Sequence, residues 1–141
     1  MNIPKHLWRY PTGEAIDSLA IRFNLRNTGH MQDWEYEVAD AKRIDEFVAA
    51  YENEPLSEDE KFTLMEIIIQ SFEDLSAFEK LDNNPLWMKI LQAVECNINL
   101  HIHTVWYWAD PENESDENDL WVVTPFFRKI LAKYREHFET V

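Results

Sequence analysis

The sequence predicts an α+β fold, mostly α: about five helices, with a small antiparallel β-hairpin (roughly 98–109 and 120–123) ahead of the C-terminal helix. Three observations carry this expectation. Apolar residues recur at helical spacing in five separate stretches. Three of those stretches open on strong start signals: Ser57 followed by Glu60, Asn84-Pro85 and Thr124-Pro125. One further stretch, Asn97 to Ala109, alternates apolar and polar residues as a half-buried strand does.

Taken in order, the first helix follows Pro11-Thr12, with Ala15, Ile16, Leu19, Ala20 and Phe23 on one face, and stops near Arg26–Gly29. His30 to Val38 is irregular and reads as a loop or a short strand. A second helix begins near Asp40, since Ile44, Phe47, Val48 and Tyr51 share a face. The third starts at Ser57-Glu58-Asp59-Glu60. There Ser57 can accept from the N3 amide while Glu60 reaches back, and the acids suit the positive helix end. Phe62, Met65, Ile68, Ile69 and Phe72 carry it to about Asp74. A fourth helix follows Asn84-Pro85 through Leu86, Trp87, Ile90, Leu91 and Val94.

The following segment admits two readings. Ile98, Leu100, Ile102, Trp106 and Trp108 fall on one side of a strand, with Asn97, Asn99, His101, His103 and Tyr107 on the other. Val94, Ile98, His101, Ile102 and Val105 would instead prolong the preceding helix. β-Branched and aromatic content favours strand from His103 onwards, so the changeover is placed within 97–103. Asp110–Asp119 then forms an exposed connection, Leu120–Val123 the second strand, and Phe127, Ile130, Leu131, Tyr134 and Phe138 the buried face of the last helix.

The length of 141 residues suits a single acidic globular domain spanning 1–141, since domains run to roughly 100–200 residues. Thirteen Lys and Arg oppose 27 Asp and Glu, a formal net charge of −14, while 45% hydrophobic residues supply a core and argue against an acidic disordered tail. Phosphate backbones and anionic membranes bind through cations, so neither nucleic acid nor a membrane surface is an expected partner. Met1–Pro11 holds no apolar run resembling a signal peptide, and the longest apolar stretch, Val105–Ala109, is far short of the roughly 20 residues that span a bilayer. Cys96 is alone, which excludes an intrachain disulfide or a paired-cysteine zinc site and suits the cytoplasm. Gly13 and Gly29 are the only glycines, too few for a phosphate-binding loop or a dinucleotide turn. No nucleophile elbow or zinc-protease helix is present, and no cofactor is predicted.

Four features bear on chemistry. On a strand, His101 and His103 point the same way and can approach one metal ion, whereas on a helix their rings diverge by about 200°. The acidic run Asp110, Glu112, Glu114, Asp116, Glu117 and Asp119 suggests calcium. An EF-hand counted from Asp110 would, however, put Ser115 where glycine is needed and Trp121 where the bidentate acid is needed. Cys96, near the end of an amphipathic helix, reads as a buried, inert thiol. Asp33-Trp34-Glu35-Tyr36-Glu37 places two large aromatics among acids outside any core periodicity, the composition of an interface anchor.

The charge is segregated along the chain. Residues 30–82 carry a formal −12 and residues 110–119 a further −6, while residues 1–29 and 120–141 are each +2. The leading expectation is a non-enzymatic protein-binding module that engages a basic protein partner. Its predicted contact residues are Asp33, Trp34, Glu35, Tyr36, Glu37, Asp110, Glu112, Glu114, Asp116, Glu117 and Asp119. A concrete form is an inhibitor of the bacterial toxin-immunity type, which the chain resembles in size and charge, with no motif carrying the likeness. The alternatives are a metal-binding protein or metal-dependent enzyme using His101 and His103, and a structural homo-oligomer without catalytic function.

Overall fold

The computed structural model describes residues 3–113 and 121–139, and every regular element among them is helical. The α-helices are α1 (Gly13–Phe23), α2 (Trp34–Glu37), α3 (Ile44–Asn53), α4 (Glu58–Leu75), α5 (Pro85–Cys96), α6 (Ile102–Ala109) and α7 (Thr124–Lys133). Short 3₁₀ turns lie at Lys5–Leu7, Ala41–Arg43, Pro111–Asn113 and Arg135–Phe138. A helix forms in each of the five predicted stretches, though the last ends at Lys133: Phe138 is buried from the 3₁₀ turn that follows, and Leu131 and Tyr134 are only half-buried. The α+β class does not hold: the described residues contain no strand, 97–100 is a turn, 102–109 is α6, and 121–123 is a turn leading into α7.

The error in the hairpin has a physical cause. The fully buried residues of this segment are His101, Thr104, Val105, Trp108 and Ala109, which recur at i, i+3, i+4, i+7 and i+8. Two of those inward positions are polar, so the helical stripe is masked in the sequence and the apolar alternation stands out instead. Strand propensity is a matter of fit to a pleated neighbour. Here α6 packs against α7, and no strand among the described residues offers pairing.

The chain divides into two compact units, Tyr10–Met88 and Met1–Arg9 with Lys89–Val141. In the first unit, α4 is the element on which α1, α2 and α3 pack. Eight consecutive residues, Phe62 to Ile69, are buried, so this helix is covered all round for two turns. Its start forms the capping box read in the sequence: the Glu60 amide donates to Ser57 Oγ (3.1 Å) and the Ser57 amide to Glu60 Oε1 (2.9 Å). Polar groups on the covered face find partners. The Thr63 hydroxyl donates to Asp59 O and the Ser71 hydroxyl to Ile67 O, each at 2.8 Å, while Ser71 Oγ accepts from the Asp40 amide.

Helix α1 ends at Asn24, in the left-handed conformation (φ 53), with the Leu25 amide reaching back to Ala20 O at 2.8 Å. That closing bond is a Schellman-type stop, and it comes before the Arg26–Gly29 boundary the sequence suggested. Phe23 meets Phe47 of α3 edge to face at 5.1 Å. Arg43 lies over the Phe47 ring, donates to Phe23 O (2.7 Å) and holds Glu46 through two bonds, so one cation ties the end of α1 to the start of α3.

In the second unit, α7 packs along α6. Asp110 takes the left-handed conformation that ends α6, and Arg128 of α7 donates to the carbonyls of Ala109 (2.8 Å), Asp110 (3.2 Å) and Asn113 (3.1 Å). The last carbonyls of α6, which have no intrahelical donor, are thus met by a cation at the negative helix end. Trp121 and Trp108 meet at 4.8 Å, with Tyr107 stacked on Trp121 at 5.1 Å. His6 Nε2 donates to Phe138 O at 2.9 Å and joins the first 3₁₀ turn to the last.

Candidate functional site

The segment 33–37 was expected to present two aromatic anchors, and the fold turns them inward. Trp34 opens α2, is 2% exposed, and donates its indole N–H to Arg26 O at 2.7 Å. That bond closes the loop between α1 and α2, so the ring serves packing. Glu35 is also buried. Desolvation raises its pKa above the ordinary carboxylate value, partly offset by a backbone hydrogen bond, with nearby Asp33 adding repulsion. Tyr36 is half-buried, and its hydroxyl donates to Glu66 Oε2 at 3.2 Å on α4. Only Asp33 and Glu37 of the five face solvent.

The acidic run after α6 also changes character at its first member. Asp110 is 1% exposed and accepts from Asn113 Nδ2 at 3.0 and 2.9 Å through its two carboxylate oxygens. It is an internal stop for α6. Glu112 is exposed. Glu114, Asp116, Glu117 and Asp119 lie outside the described residues.

His101 is fully buried at the N-cap of α6, and His103 lies two residues further on, half-buried. The helical backbone removes the strand on which a shared metal would depend, because residues two apart diverge by about 200°. Among the described residues no group of three His, Cys, Asp or Glu side chains could hold a metal ion. Burial lowers the His103 pKa to about 4, so its ring is neutral near pH 7, lying parallel to Tyr107 at 6.4 Å. Cys96 corrects another expectation: the thiol is exposed, at the last residue of α5.

Among the described residues, most solvent-facing acids lie in residues 10–88. Residues 10–88 hold eighteen acids and six bases, a formal −12, whereas the rest of the chain totals −2. Twelve of those eighteen are exposed, including Glu14 and Asp17 on α1, Asp45 and Glu52 on α3, Glu58 and Asp74 on α4, and Asp82 before α5. Some of the six bases are already engaged by acids: Arg22 lies 3.5 Å from Glu54, and Arg43 pairs with Glu46 at 2.7 Å. The signal that locates these acids was present in the sequence. Once Ala15, Leu19 and Phe23 mark the inner face of α1, Glu14 and Asp17 must face outward, and Phe47, Val48 and Tyr51 place Asp45 and Glu52 in the same way.

No helix among the described residues is long and apolar enough to cross a membrane. Set against protein-family models, curated proteins and solved structures, the chain matches none.

Proposed function

We propose that this chain is a non-enzymatic binding module for a basic protein, recognised chiefly by the acids of residues 10–88. The observation that supports the reading is the concentration of charge: a formal −12 on one compact unit, with two-thirds of its acids at the surface. Such an arrangement costs stability through self-repulsion and is favourable when a cationic surface approaches. An inhibitor of the toxin-immunity type, covering a cationic toxin or nuclease surface, is the concrete form we propose. Association would be steered, reaching on the order of 10⁸ M⁻¹s⁻¹ at low salt against roughly 10⁵–10⁶ for an unsteered pair.

The contact set differs from the one the sequence first suggested. Trp34, Glu35 and Asp110 are committed to the interior, while Glu14, Asp33, Glu37, Asp45 and Asp82 are exposed. Affinity capture from the source organism at low and at moderate salt tests the reading, with the five exposed acids changed to amides as the control. The module should retain a basic protein at low salt, release it with salt, and lose it in the amide variant. Capture of no basic protein at either salt concentration counts against the reading.

A further inference from the structure

We draw no further inference here: the strongest candidate, the half-buried aromatic cluster of His103 and Tyr107 on α6 with Trp121 before α7, carries nothing because nothing in the structure shows what covers it.

Discussion

At the scale of single residues, burial of ionisable groups sets two measurable responses to pH. Glu35 has its pKa raised by desolvation. The folded state therefore favours its protonated form, and the resulting stability is present in acid and lost as pH rises through the folded pKa. Glu35→Gln should raise the melting temperature at pH 7, with the gain shrinking as pH falls through the raised pKa and gone once pH is below the ordinary carboxylate value; thermal melts from pH 7 down through that value read it. His103 behaves in the opposite sense. Its pKa falls from 6.5 unfolded to about 4 folded, so stability is complete above pH 6.5 and declines as acid protonates the unfolded chain. The loss down to pH 4 should be on the order of 1–2 kcal/mol once partial solvent exposure is allowed for. His103→Phe, which keeps a ring beside Tyr107 and removes the titration, should flatten that part of the profile; an unchanged slope would show that His103 is not its source. The sequence singled out both residues for other roles, and the burial of neither was legible in it. Glu35 sits between two aromatics in an irregular stretch, and its burial comes from α2 lying on α4, a long-range event that no local pattern encodes.

At the scale of elements, two helix termini carry the sharpest expectations. The Ser57–Glu60 box was legible in four consecutive residues, because both of its bonds are local. Ser57→Ala should cost about 1 kcal/mol in denaturant unfolding. Ser57→Ala and Glu60→Ala combined should fall short of the sum of their separate effects, since each removes half of one reciprocal pair. Glu60 also accepts from the Ser18 hydroxyl at 2.6 Å, a link to α1 across 42 residues of sequence that was not legible. The end of α6 is the harder case. Its capping cation comes from Arg128, 18 residues beyond Asp110, and its inward face includes His101 and Thr104. Both facts hid the helix and made a hairpin the better reading of 97–123. Arg128→Ala should cost about 1–3 kcal/mol by leaving the carbonyls of Ala109, Asp110 and Asn113 without this donor. Arg128→Lys should restore only part of it, since a single ammonium does not reproduce the planar fork. Denaturant midpoints at unchanged m-value measure both; full rescue by lysine would mean that charge alone matters at this terminus.

At the scale of the whole molecule, composition showed how acidic the chain is, and the fold shows where that charge is carried. Residues 10–88 hold −12 of the −14, on helices whose apolar faces were already readable from spacing. The five helices found by periodicity are the ones with unbroken apolar faces: Phe62, Met65, Ile68, Ile69 and Phe72 on α4 are an example, all fully or almost fully buried. What failed at this scale was choosing contact residues by aromatic content, because Trp34 fills the interior and an exposed acid surface has no short motif. If charge governs recognition, its reach is set by the Debye length, about 10 Å at 0.1 M salt. Changing Glu14, Asp33, Glu37, Asp45 and Asp82 to amides lowers the formal charge from −14 to −9 without touching the core. The measurement that bears most directly on the proposed function is the association rate with the captured basic protein, compared between the wild-type chain and this variant over a range of ionic strength. The account predicts a wild-type rate that falls steeply with salt and a slower variant rate with a shallower slope. Equal rates and equal slopes for the two proteins, or failure of the chain to retain any basic protein at low salt, would contradict it.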